Sequence, residues 1–221
     1  KYFQLIKKYY KDSSKFLLIS VVLFIMSLFV YYAITDEIVL EKEGGFGETI
    51  FLFFKDFINH QRLNQLMESI TNLSAPQLMM YAFPIIVVIF FIFKLKRESL
   101  FLLISGGGGL LLLSAFKRIF ERTRPPYPLL YAETGFSFPS GHATFSFVFY
   151  GALAYLVWVS KLPKYLRIVI MIFLISLSIS IGTSRIYLRV HYPSDVFAGF
   201  ALGYSWLFLV IYVFRNWFPL K

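Results

Sequence analysis

Six long apolar runs take up most of the 221-residue chain, and they constrain its fold more than any other feature. They extend from about Phe16 to Ile34, Leu78 to Phe93, Ser99 to Phe116, Ala143 to Val159, Tyr165 to Gly182 and Val196 to Phe214. Each is close to the ~20 residues a helix needs to cross a ~30 Å hydrocarbon layer. Since backbone polar groups in lipid must be satisfied within the segment, runs of this kind predict helices, so the expected fold is an all-α integral membrane protein, a bundle of six transmembrane helices forming one domain over 1–221. The composition agrees: 58% of residues are hydrophobic and only 15% charged, against about 25% charged in soluble domains. The first run is too long for the core of a secretory signal and ends in Tyr31 and Tyr32, so it is expected to be a retained anchor. Pro84 suggests a kink in the second run.

The chain has no cysteine, which excludes disulfides, thiolate metal sites and cysteine nucleophiles. Its net charge of +10 is unevenly placed. Lys1, Lys7, Lys8, Lys11 and Lys15 precede the first run; Lys94, Lys96 and Arg97 follow the second; Lys161, Lys164 and Arg167 follow the fourth; Arg215 and Lys221 end the chain. The positive-inside tendency puts these segments, and both termini, in the cytoplasm. The long loop after the first run lies on the other side, with seven acidic residues against Lys42, Lys55 and Arg62. Within it Leu63, Leu66, Met67, Ile70 and Leu73 recur at helical spacing and predict an interfacial helix, which either covers a site or, the favoured reading, packs on the bundle. His60, in the same loop, has no motif around it and reads as solvated.

That topology leaves Lys117, Arg118, Arg122, Arg124, Arg185 and Arg189 on the outer face, against the charge rule. Three segments there carry chemistry. In Lys117-Arg-Ile-Phe-Glu-Arg-Thr-Arg124-Pro125, an ammonium and a bidentate guanidinium can converge on one phosphate, although lipid head groups would attract the same stretch. Phe138-Pro139-Ser140-Gly141-His142 opens the fourth run. Ser140 suits an N-cap, Gly141 lets an anion approach the free amides of a helix start, and His142 would stand beside the anion as a proton donor. A capping serine and an interfacial histidine are the plain alternative. Ser184-Arg185 to His191 and Asp195 adds an arginine and a histidine paired with a carboxylate. Pro193 is expected in the first turn of the last helix, within which Asp195 can fix the tautomer of His191 and leave its other ring nitrogen nucleophilic. A loop histidine with a coincidental aspartate would look the same.

Taken together on one membrane face, these segments resemble the three signature motifs of the type 2 phosphatidic acid phosphatase superfamily, and the resemblance covers the third to the sixth run. It implies a metal-independent lipid phosphatase, with no cofactor, acting at the outer face of a bacterial cell membrane. It further implies His191 as the nucleophile forming a phosphohistidine, Asp195 orienting it, and His142 as general acid. Lys117, Arg124, Ser140, Gly141 and Arg185 would bind phosphate. Substrates of family members include phosphatidylglycerophosphate, phosphatidic acid and undecaprenyl pyrophosphate. Of these, phosphatidylglycerophosphate is the expected substrate and undecaprenyl pyrophosphate the alternative. The acidic run Asp36, Glu37, Glu41 and Glu43 reads as solvated, not as a cation cage. No nucleic-acid partner is expected; the partners are the bilayer and a lipid phosphate. A transporter would need ionisable residues at the bilayer midplane. A noncatalytic lipid binder would have no use for the His191 and Asp195 pair, and the haloperoxidase relatives are soluble. The glycines at 106–109 and the pair Gly199 and Gly203 are expected to mark close helix packing.

Overall fold

The computed structural model describes residues 21–22, 24–33, 45–54, 60–129 and 133–217, and among them every regular element is a helix. In chain order these are α1 (Phe24–Ala33), α2 (Gly45–Phe54), α3 (Gln61–Asn72), α4 (Pro76–Ile92), α5 (Lys96–Phe120), α6 (Gly141–Val159), α7 (Lys164–Tyr187) and α8 (Pro193–Trp217). Four of them, α5 to α8, are long and apolar enough to cross a membrane. At ~1.5 Å per residue the 17-residue α4 falls short of a full crossing, but it follows α3 at a bend of 41°, and the pair together is long and apolar enough for one broken span or a re-entrant loop. The chain is therefore a multi-pass membrane protein with four or five crossings among the described residues. Of the expected first crossing only its second half, containing α1, is described; the rest, and the acidic run at 36–43, lie outside the described residues.

The helices are longer than the apolar runs because their polar end turns are also helical. The extension matters most in α5, whose last turn carries Lys117, and in α7, which runs past Gly182 to include Ser184 and Arg185. Helix α4 passes through Pro84 unbroken, so the marked change of direction is at the α3–α4 junction.

Helix α6 is the most buried of the four long helices and packs against α5, α7 and α8, whereas α7 turns most of its surface outward to lipid. The core is aromatic and aliphatic, with Phe101, Phe149, Tyr150, Leu156, Leu207 and Phe214 in one cluster. The glycines act as packing sites. Rings of Phe83 and Trp206 lie where side chains at Gly106 and Gly108 would be, and at Gly199 a methyl would stand 2.8 Å from the Ser140 carbonyl oxygen. Helix α3 packs on the end of α7: Leu63 and Met67 cover Tyr187, Leu188 and Val190, and the Tyr187 hydroxyl donates to Asn64 Oδ1 at 2.6 Å. Helix α3 thus packs on the bundle, and its Thr71 also reaches Arg185.

Candidate active site

Three joints assemble one end of the bundle. At the first, α6 and α8 touch at Gly199, and the Ser140 amide donates to the Asp195 carbonyl at 2.9 Å. At the second, the α5–α6 connection, closed on itself by the Ser137 amide bonding the Arg122 carbonyl, lies against the α7–α8 loop, where the Leu129 amide bonds the Leu188 carbonyl. At the third, the α3–α4 junction backs the start of α6, where Ser74 Oγ donates to the His142 carbonyl and the Tyr150 hydroxyl to the Leu73 carbonyl.

These joints bring all eight residues singled out in the sequence to the same place. Ser140 caps α6 by accepting from the Ala143 amide, as its position suggested. Gly141 lies beside the Lys117 stem, and its missing side chain would meet nothing closer than 3.5 Å. Packing alone therefore does not demand glycine there; the bare backbone leaves the helix start accessible. Lys117 Nζ donates to the Phe136 carbonyl. Among the described residues the His142 ring makes no hydrogen bond, and it lies within electrostatic range of Arg185, Glu133, His191 and Arg124.

His191 is held at both ring nitrogens. Nδ1 faces Asp195 Oδ2 at 3.4 Å and Nε2 faces Arg124 Nη1 at 3.2 Å. A guanidinium can only donate, so Nε2 is the acceptor and carries the lone pair, which puts the proton on Nδ1 toward the carboxylate. Burial pushes the imidazole down to about 4, outweighing the opposite pull of Asp195 and aided by Arg124 and Arg185. At neutral pH His191 is thus an uncharged imidazole whose Nε2 lone pair faces Arg124, a form able to act as a nucleophile.

Asp195, in the first turn of α8 as expected, is fully buried and well supplied with partners. Arg122 Nη1 donates to Oδ1 at 2.7 Å, the Tyr192 amide to Oδ2 at 2.8 Å, and Ser137 Oγ to Oδ2. The Arg122 guanidinium also stacks on the Tyr192 ring at 4.2 Å. Motif spacing did not single out Arg122 or Ser137. Ser137 sits just before Phe138-Pro139, and only the fold brings its hydroxyl to Asp195.

Arg124 ties the site together. Its Nε donates to the Gly135 carbonyl, Nη2 to Thr134 and Nη1 to Val190. Arg185, 1% exposed, donates through Nη1 to Thr71 Oγ1 at 2.9 Å. Between the two arginines lies Glu133, which none of the three motifs includes. One carboxylate oxygen pairs with Arg185 Nη2 and the other lies 3.0 Å from Arg124 Nη1. Burial alone would push this carboxyl up, but the Arg185 guanidinium, helped by Arg124, holds it below the usual range and keeps it ionised. Among the described residues no three His, Asp or Glu side chains group as a metal site.

Comparison with known proteins identifies the family. Residues 97–219 match the PAP2 superfamily. Phosphatidylglycerophosphatase B of Bacillus subtilis is 33% identical over 153 residues, which is 67% of this chain and 73% of the relative. The crystal structure of the PAP2-type phosphatidylglycerolphosphate phosphatase from Bacillus subtilis superposes with a TM-score of 0.75 at 28% identity, covering 91% of this chain and 98% of that one. An undecaprenyl-diphosphatase of Sulfolobus acidocaldarius is 35% identical over 104 residues, which is 47% of this chain and 46% of the relative. With the matched segment reaching from α5 through α8, and so through every helix that carries the cationic cradle and the His191 and Asp195 pair, the chain belongs to the PAP2 superfamily of phosphatases, enzymes that hydrolyse phosphate esters.

Proposed function

We propose that the chain dephosphorylates a membrane lipid without a metal, through a phosphohistidine, and that its substrate is phosphatidylglycerophosphate, converted to phosphatidylglycerol and phosphate. The observation that carries the mechanism is the placement of the His191 lone pair beside the arginines: Nε2 accepts from Arg124, whose guanidinium also faces Glu133 together with Arg185. A phosphate bound to Lys117, Arg124 and Arg185, the Ser140 hydroxyl and the Gly141 amide lies in line for attack by Nε2 at phosphorus. The P–O bond to the lipid breaks as His142 gives that oxygen its proton. Asp195 stabilises the charge on the ring, and a water deprotonated by His142 then releases phosphate from His191. Three cations offset the charge developing on the phosphoryl oxygens, the main catalytic demand of phosphoryl transfer. Likeness to phosphatidylglycerophosphatase B supports the substrate, and likeness to an undecaprenyl-diphosphatase supports a polyprenyl pyrophosphate as the alternative.

The charge pattern of the sequence supports an outward-facing site in a bacterial cell membrane, with six crossings and both termini in the cytoplasm. The decisive experiment is phosphate release by purified protein from a panel of phosphatidylglycerophosphate, phosphatidic acid and undecaprenyl pyrophosphate, with EDTA and then vanadate. Turnover that persists in EDTA, stops with vanadate and is fastest on the first lipid is expected. Loss of turnover in EDTA overturns the mechanism, and faster turnover of the pyrophosphate moves the substrate assignment to the alternative. For topology, a cysteine at the exposed Tyr127 is expected to react with an impermeant thiol reagent on intact cells, and one at Lys161 to stay unlabelled. The opposite labelling would put the site in the cytoplasm.

A further inference from the structure

A phosphatase at a bilayer surface is surrounded by anionic phosphodiesters that it must not bind. Such a lipid carries one negative charge, whereas a phosphomonoester carries about −1.5 to −2 near pH 7. In this chain the two arginines that would hold the phosphate already face an anion of unit charge. Glu133 places one carboxylate oxygen on Arg185 and the other on Arg124, with Lys117 and His142 also within electrostatic range. The Glu133 side chain is 21% exposed and lies outside the helices, so it can leave the arginines without unpacking the bundle. The backbone beside it stays anchored, because Arg124 binds the carbonyls of Thr134 and Gly135. Glu133 thus remains tethered near the cradle at an effective concentration on the order of millimolar or more.

We propose that Glu133 sets head-group specificity: its carboxylate occupies the phosphate-binding arginines as a built-in monoanion, which a phosphomonoester or terminal pyrophosphate displaces and a phosphodiester does not. The exchange is a matter of charge. A diester replaces one unit charge with another and must also overcome the tether, so nothing drives it. A monoester brings additional charge and a third terminal oxygen to three cations, which drives the carboxylate out. The inference rests on the phosphatase reading of the site and adds to it a reason for discrimination among lipids that share a phosphate.

The test uses the purified full chain in nonionic micelles, with phosphatidic acid as monoester, phosphatidylglycerol as diester and phosphatidylcholine as diluent. Turnover of phosphatidic acid and direct binding of a fluorescent phosphatidylglycerol are measured separately. In Glu133→Gln, phosphatidylglycerol is expected to bind at least about tenfold more tightly, while KM for phosphatidic acid falls only about threefold. Glu133→Asp, which keeps the charge, is expected to bind the diester at least about fivefold more weakly than the Gln variant. A variant that is merely misfolded would lose affinity, so a gain cannot come from damage. Unchanged or weaker diester binding in Glu133→Gln, or equal binding by the Gln and Asp variants, overturns the proposal. Wild-type protein that turns over neither phosphatidic acid nor phosphatidylglycerophosphate while the Gln variant gains diester affinity upholds the role of Glu133 and overturns the phosphatase reading.

Discussion

The two histidines belong to regions built in different ways. His191 lies in the short loop between α7 and α8 and is immobilised at both ring nitrogens, by Asp195 on one side and Arg124 on the other. His142 lies in the first turn of α6, its backbone carbonyl held by Ser74, while among the described residues its ring is bound by nothing. A clamped imidazole with a fixed lone pair suits attack along one line. An unclamped one suits a proton carrier that serves first the leaving group and then a water. The contrast therefore supports the proposed division of roles, with His191 as attacker and His142 as proton carrier, which the motifs alone leave to resemblance.

The largest expected effect falls on the clamped ring. His191→Ala is expected to lower turnover by about 10⁴-fold or more on every substrate, since the covalent route is lost. A residual rate above a tenth of wild type, measured by phosphate release, would break the assignment. Next comes the free ring. His142→Ala is expected to lower hydrolysis of an alkyl lipid phosphate by about 10²–10⁴-fold but that of p-nitrophenyl phosphate by less than about tenfold, because the aryl oxide leaves without a proton. Equal losses on both substrates would erase the distinction between the regions.

The third effect tests the clamp itself. Asp195→Asn keeps one acceptor oxygen, for Arg122 or for the Tyr192 amide but not for both, and removes the charge that stabilises the imidazolium. Arg124 still dictates the tautomer from the Nε2 side, so the loss is expected to be about 10²-fold and not larger. The pH profile is a separate reading. His191 is depressed to about 4, so it is neutral above that pH, and kcat/KM is expected to fall about tenfold per unit below it. Asp195 holds this value up, so the Asn variant is expected to move the acid limb to lower pH, whereas a limb set by substrate ionisation would not move. An upward move would show that the carboxylate does not act on His191.

What the sequence revealed and what it concealed divide along the same lines. Crossings α5 to α8 were legible because lipid demands uninterrupted apolar helix, and the eight motif residues because their chemistry is set by neighbours a few positions away. The polar end of α7 was not, since hydropathy stops at Gly182 while the helix extends to Tyr187; the polar start of α8 was legible only through Pro193. Arg122, Ser137 and Glu133 stayed hidden for a different reason. Each gains its role only across the fold, Arg122 and Ser137 on a carboxylate in α8 and Glu133 between guanidiniums from two motifs.

The smallest expected effect concerns the joint that sets one histidine against the other. At Gly199 a methyl would stand 2.8 Å from the Ser140 carbonyl oxygen, 3.0 Å from Ala143 Cβ and 3.1 Å from Thr144 Oγ1. The nearest of these is helix backbone, which cannot turn aside, so in Gly199→Ala the start of α6 has to part from α8 by several tenths of an ångström. Overpacking of this kind costs about 1–3 kcal/mol. At roughly 2–4 °C per kcal/mol for a chain of this size, Tm is expected to drop by several degrees. The same movement displaces His142, on α6, from His191, which is anchored to α8 through Asp195, and reacting groups shifted by even part of an ångström lose rate, here about tenfold. Gly109→Ala is the matched control. Its methyl would meet Val148 and Trp206 no closer than 3.5 Å, an ordinary contact, and it removes a glycine from a helix interior, so Tm is expected to hold or rise. If both variants lose the same Tm, glycine content and not the joint governs stability. If Gly199→Ala loses Tm but keeps full turnover, the spacing of the two regions matters less to the reaction than their separate construction.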